Sequence, residues 1–178
     1  MKLRTLWIGL AGLVLAFSLS GNAMASVAGT EKLEKQVGHE LNMLPYVNAF
    51  DYMAFTVDDN GNVTLTGDVT NPVLKTDAGN VVQRVEGVEH VDNQIRVLPV
   101  SFIDNGLRLR LYRTIYGYPG LDKYSLGVMQ PIRIIVENGH VTLMGVVDSQ
   151  MDKNIAGIRA NSVPGIFSVD NQLRIARS

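Results

Sequence analysis

The side chains of this sequence that could do chemistry are few, and they do not converge. His39, His90 and His140 are the only histidines. The chain repeats itself: Asn60 to Val69 returns as Asn138 to Val147, and Val85 to Val97 returns as Val163 to Ile175, both displaced by 78 positions. Across the repeat the three histidines face Arg113, Ser168 and Asn62, so no imidazole base or ligand was duplicated. Asp58-Asp59 has too few oxygen neighbours at regular spacing for a calcium loop and reads as a solvated turn. No nucleophile-base pair, paired carboxylates or ligand set is arranged by the sequence. It reads as a non-enzyme with no cofactor and no metal.

One stretch has a binding chemistry. Arg108, Arg110, Tyr112, Arg113, Tyr116, Tyr118, Lys123 and Tyr124 form a segment free of acid apart from Asp122. Tyrosine suits a bilayer interface, its ring apolar and its hydroxyl wet, and arginines attract anionic headgroups. The same spacing also fits a structural role, with Tyr112 and Tyr116 extending an apolar stripe of Leu111 and Ile115.

The elements that must position these residues follow from the repeat. Leu33, Val37 and Leu41 predict a helix from Thr30 that Pro45 stops. A strand from Tyr52 to Asp59 meets Asn60-Gly61, a two-residue hairpin signal, and returns through Val63, Leu65, Gly67 and Val69. Asn71-Pro72 caps a second helix through Leu74, Ala78, Val81, Val82 and Val85, and Gly87 ends it. Val88 to Val97 is a third strand. After the short link Leu98 to Ser101, Leu107, Leu111 and Ile115 restate the first helix at an offset of 74. The difference between the two offsets places an apolar and aromatic insertion between Pro119 and Pro131. Strands over 132–137 and 140–147, a helix from Ser149 and a strand over 168–176 complete the second copy. Asp77 stands opposite Ile155, which predicts a slight rotation of one helix against its sheet. The repeated glycines read as structural, because none precedes a helix as a phosphate loop would: Gly61 and Gly139 as turns, Gly67 and Gly145 as a strand bulge or a place where a helix comes close, and Gly87 and Gly165 as helix ends. Asn93 and Asn171 read as amides that satisfy backbone groups at the entry to the last strand.

Lys2 and Arg4 precede an uncharged apolar run from Leu6 to Leu19, and Ala23-Met24-Ala25 follows as a small-x-small site, so residues 1–25 read as a signal peptide cleaved after Ala25. The domains are then 26–100 and 101–178, in the periplasm. The sequence has no cysteine, which excludes disulfides and a thiol-linked lipid. Loss of Lys2 and Arg4 takes the 16 basic residues to 14 against 17 acidic ones, a net charge of −3. A nucleic-acid partner is thereby disfavoured.

The hairpin glycines, the helix, and the pattern Val-x-Gly-Val/Ile-x-x-Val-x-Asn-x-Ile/Leu at 85–95 and 163–173 together resemble the BON domain family, in the tandem arrangement of OsmY-like periplasmic proteins. The resemblance implies an α+β fold: two tandem α-β-β-α-β domains, each with two helices packed on one face of a three-stranded mixed or antiparallel sheet. It further implies an envelope protein that associates with anionic phospholipid and supports envelope integrity or osmotic tolerance. The alternative is a protein-interaction module that binds an envelope partner or a second copy through the aromatic insertion.

Overall fold

The computed structural model describes residues 20–127 and 129–176. The apolar run before Ser20, and Val128 of the insertion, lie outside the described residues. The expected cleavage site after Ala25 falls within the first helix, α1 (Ser20–Asn42), which begins well before Thr30.

Each copy folds as anticipated from its periodicities. In the first, β1 (Tyr52–Val57) pairs antiparallel with β2 (Asn62–Val69) in the register Tyr52↔Asp68 to Val57↔Val63. The crossover helix α2 (Pro72–Gln83) is capped by Asn71, whose side chain accepts from the Val73 N–H, with proline at its start. The chain then returns parallel to β2 as β3 (His90–Asn93) and β4 (Arg96–Val97), two collinear pieces in place of the single strand anticipated. The second copy comprises α3 (Phe102–Tyr116), a 3-10 turn (Asp122–Ser125), β5 (Ile132–Glu137), β6 (His140–Val147), α4 (Gln150–Asn161), β7 (Ser168–Asn171) and β8 (Arg174–Ile175). Both helices of a copy cover one face of a mixed sheet. Leu33, Val37, Leu65, Leu74, Ala78 and Ile95 fill the first core, and Leu107, Leu111, Ile134, Leu143, Ala156 and Leu173 fill the second. Truncating one such buried leucine to alanine costs about 2–5 kcal/mol.

The break in the third strand has a cause that both copies share. Asn93 Nδ2 donates to Lys75 O at 2.7 Å while its Oδ1 accepts from the Ile95 N–H at 3.3 Å, so the amide tethers α2 to the strand and takes the N–H out of the ladder. Asn171 does the same with Lys153 O and the Leu173 N–H. Gly79 and Gly157 make room: a Cβ there would lie 2.9 Å and 2.8 Å from the two amide nitrogens. Asn93 and Asn171 thus reach across to a helix as well as satisfying their own turn.

The two hairpins differ. In the second, Asn138 (φ 52) and Gly139 (φ 77) form the two-residue turn that the sequence indicates. In the first, the loop is Asp58 to Gly61, closed by Gly61 N–H to Asp58 O at 3.1 Å, because the Asp58 carboxylate captures the N–H groups of Asn60 and Asn62. Inside the strands, Gly67 and Gly145 hold φ of 125° and 112°, and a Cβ would meet the carbonyl oxygens of Tyr52 and Pro131 at 2.1 Å and 1.9 Å. A neighbouring strand makes that close approach, and no helix does. Gly87 and Gly165 lie in turns beyond the helix ends at Gln83 and Asn161.

The first copy also completes the second. In the loop between α1 and β1, Ala49 is buried in the second core, and Ala49 O accepts from Ile134 N–H of edge strand β5 at 2.7 Å. Arg133 donates to Asn48 O at 2.8 Å, and Phe50 packs edge-on against Tyr112. Asp51, 1% exposed, accepts from Thr70 N–H and hydroxyl and from Asn48 N–H, with the Arg108 and Arg133 guanidinium charges facing it. Arg96 bridges Asp68 at 2.7 Å and Glu137 at 3.4 Å across the two copies. Replacing Asp51 with alanine leaves its donors unpaired, takes from Arg133 the carboxylate that faces it, and leaves Arg108 with Asp104 and Glu137 alone. Urea unfolding of Asp51→Ala is expected to show a loss of about 3–5 kcal/mol; a loss within the range of an ordinary surface substitution would show that this docking does not stabilise the chain.

Candidate functional site

The Arg/Tyr stretch falls on α3 and on the loop and 3-10 turn after it, and the fold divides its eight residues sharply. Ser101 caps α3 by accepting from Asp104 N–H at 3.1 Å, and the stripe of Leu107, Leu111 and Ile115 sets the buried face. Arg108 lies on that face, 3% exposed. It donates to Val136 O and, at 2.5 Å, to Asn105 Oδ1, with Asp104, Asp51 and Glu137 facing its charge. Tyr116 is likewise buried, its hydroxyl donating to Ile132 O at 2.6 Å and accepting from Ile132 N–H. Burial pushes the Tyr116 phenol well above its ordinary pKa.

The insertion folds inward as well. Leu121 and Tyr124 enter the second core, and the Tyr124 hydroxyl donates to Asp152 Oδ2 at 2.7 Å. Lys123 pairs with Asp148 at 2.9 Å and Asp152 at 3.0 Å, and these contacts raise its pKa. The insertion is therefore a strap fastened to the first turn of α4. Arg108, Tyr116, Tyr124 and Lys123, grouped by the sequence with a binding surface, belong instead to the interior and to an ion-pair cluster. Tyr112 is half-buried between Phe50 and Tyr116.

What remains at the surface is Arg110, Arg113 and, half-buried, Tyr118. The structure adds Arg159 of α4, which sequence reading missed. Its guanidinium lies 4.9 Å over the Tyr118 ring, and its Nε donates to Thr114 O at 3.5 Å. Arg110, Arg113, Thr114, Arg159, Ser162, Val163 and Pro164 line a cleft of about 390 Å³ between α3 and α4. Among the described residues no carboxylate pairs with any of the three arginines. Phe102, Ile103 and Leu109 stand exposed on α3, Phe102 at 92%. An outward face that combines apolar side chains with unpaired cations can attract an anionic surface and bury area against it.

Two carboxylates hold the elements around this face. Asp104 accepts from Asn138 N–H at 3.0 Å and Gly139 N–H at 2.9 Å, fixing the hairpin turn to the start of α3. Burial alone would raise its pKa, but the Gly139 and Asn138 N–H groups, Ser101 and Arg108 together outweigh that and hold it below the ordinary value. Asp152 is lowered in the same manner, burial being outweighed by Tyr124, Lys123 and Ser149. Elsewhere, His140 shares a 2.7 Å hydrogen bond with Ser168, and among the described residues no group of three or more His, Cys, Asp or Glu could hold a metal ion. No helix among them is long and apolar enough to cross a membrane.

The family model for the BON domain matches residues 29–99 and 126–177. The second match begins after α3 and the 3-10 turn. The outer membrane lipoprotein DolP of Haemophilus influenzae is 32% identical over 128 residues, and the match covers 69% of this chain and 59% of that protein. The chain thus spans about three-fifths of the length of that curated relative. Among solved structures, the C-terminal domain of CdsD, a structural protein of the type III secretion system of Chlamydia trachomatis, is 14% identical with a TM-score of 0.31, over 82% of this chain and 98% of that one. A second CdsD structure is 15% identical with the same score, over 82% and 94%.

The lowered carboxylates give the second domain a defined acid response. Both contribute fully above the unfolded value of 3.8, and the contribution is lost as pH falls through that value toward the lower folded ones. Urea midpoints measured from pH 7 down to 3 should fall more steeply for the wild type than for Asp104→Asn/Asp152→Asn. Parallel curves would contradict the assignment.

Proposed function

Because this chain belongs to the BON domain family, we propose that it is a non-catalytic protein of the bacterial envelope whose second domain lies against anionic phospholipid. The observation that carries this reading is the outward face of α3 and α4: Arg110, Arg113 and Arg159 without carboxylate partners, beside exposed Phe102, Ile103 and Leu109. The relative's name places that protein in the outer membrane as a lipoprotein. Here no cysteine is available to carry a lipid on a thiol, so in this reading the protein surface itself supplies the membrane contact. The chain works in the periplasm after loss of residues 1–25, in support of envelope integrity or osmotic tolerance.

Magnitudes show that charge alone is too little. Three arginines near an anionic surface contribute about 3 kcal/mol, whereas micromolar binding needs about 8 kcal/mol. Burying Phe102 and Ile103 adds about 1.5–3 kcal/mol each. Both kinds of contact are needed, and binding should weaken with salt without vanishing. The rival reading, a protein partner or second copy docking on the aromatic insertion, loses its anchor because Tyr124 and Leu121 are spent in the core.

The first core begins at Leu33 and the second at Ala49, so residues 26–178 contain the buried residues of both. In flotation with phosphatidylglycerol vesicles, this chain should rise with the lipid at low salt and less so at high salt. Arg110→Gln/Arg113→Gln should reduce the bound fraction, and Phe102→Ser/Ile103→Ser should remove the salt-resistant part. Absence of wild-type binding at low salt would overturn the reading.

A further inference from the structure

The cleft between α3 and α4 has a counterpart in the first domain, and the two copies have diverged in a consistent direction. Between α1 and α2 the corresponding groove is lined by Lys32, Lys35, Gln36, His39, Glu40, Val81, Arg84, Val85 and Glu86. By the repeat offsets, Gln36, His39 and Glu40 correspond to Arg110, Arg113 and Thr114, and Val81, Arg84 and Glu86 correspond to Arg159, Ser162 and Pro164. The second copy has lost both carboxylates of its cleft, Thr114 and Pro164 standing where Glu40 and Glu86 do, while three cations line each: Lys32, Lys35 and Arg84 in the first, Arg110, Arg113 and Arg159 in the second. A lipid-facing helix needs cations only on its outer surface. Cations that converge on an open cleft from two helices, without a carboxylate between them, fit a ligand small enough to rest in it.

One of the three guanidinium groups is also held in place. Arg159 lies over the Tyr118 ring and bonds to Thr114 O. Arg110 reaches toward the turn after α4, its Nη2 3.8 Å from the point a Cβ at Gly165 would occupy. A held planar donor beside two further guanidinium groups, in a site without carboxylates, suits a tetrahedral oxyanion, to which a guanidinium can give two parallel hydrogen bonds. Thr114 adds a hydroxyl to the lining, and Val163 and Pro164 form an apolar wall.

Resting on the membrane reading above, we infer that this cleft is a discrete site for the phosphate group of a phospholipid headgroup, clamped between Arg110 and Arg113 of α3 and Arg159 of α4. The membrane is then engaged one phosphate at a time at a fixed place, in addition to the general attraction of its surface charge.

The test compares residues 26–178 with three variants on two kinds of vesicle of equal surface charge, one charged by phosphatidylglycerol and the other, built on a lipid without phosphate, by a fatty-acid carboxylate. Arg159→Gln should weaken binding to the phosphatidylglycerol vesicles by about tenfold or more, as loss of a charge-assisted bidentate contact does. Arg159→Lys keeps the charge but not the planar fork and should lose most of the preference for phosphate. Arg174→Gln, which removes an exposed cation outside the cleft, should change binding by less than about twofold. Thermal melting of each variant checks that it folds. Equal weakening by Arg159→Gln and Arg174→Gln, or equal wild-type affinity for the two vesicles, would overturn the discrete site and leave the membrane reading standing. No wild-type binding to either vesicle would remove both. Saturable amide shifts with glycerol phosphate in the absence of vesicle binding would overturn the lipid source and give the cleft to a soluble phosphate ester.

Discussion

Much of the arrangement depends on one buried carboxylate. Asp51 closes the loop before β1 by accepting from Thr70 and Asn48, and two guanidinium charges of the second domain, Arg108 and Arg133, face it. Three buried or half-buried charges in one place are stable only while each has its partners. The same contact seats Ala49 in the second core and gives the β5 edge a backbone partner at Ile134. It also explains why Arg108 is not part of the outer face. With its charge committed inward, only Arg110 and Arg113 of the α3 arginines remain for a ligand.

Duplication supplied a scaffold, and divergence supplied the surface. The features repeated residue for residue all hold elements together: the strand glycines at Gly67 and Gly145, the Asn-to-helix tether, and the small residues Gly79 and Gly157 beneath it. The features that differ lie on and around the helices of the second copy. There the carboxylates of an interhelical groove are replaced, the loop before β5 is lengthened into a strap, and apolar side chains at the start of α3 stay uncovered.

The fold was largely legible from the residues, because two copies of one pattern confirm each other. The Asn71-Pro72 start of α2, the Ser149 cap and the Asn138-Gly139 turn each depend on local chemistry that a sequence displays. The first hairpin departs from the two-residue turn because Asn60-Gly61 looks the same locally, whereas the Asp58 carboxylate decides the loop. The site was legible only in part. Helical spacing allowed Tyr112 and Tyr116 to face either way, but it could not show that Tyr116 meets Ile132 or that Tyr124, in the insertion, meets Asp152. Arg159 lies 46 positions after Arg113, and only tertiary packing brings it to α3. A signal was nonetheless present, since Val81 against Arg159 and Gln36 against Arg110 are visible once the copies are aligned.

The two copies share a fold, and in the function proposed only the second meets the membrane. Hydrogen exchange on residues 26–178, free and bound to phosphatidylglycerol vesicles, tests it residue by residue. Amides of α3 from Leu109 onward and of the last turn of α4 should slow on binding, while the corresponding segments of the first domain, 35–42 and 81–85, exchange as in the free chain. Equal slowing in both domains, or slowing confined to the first, would contradict it.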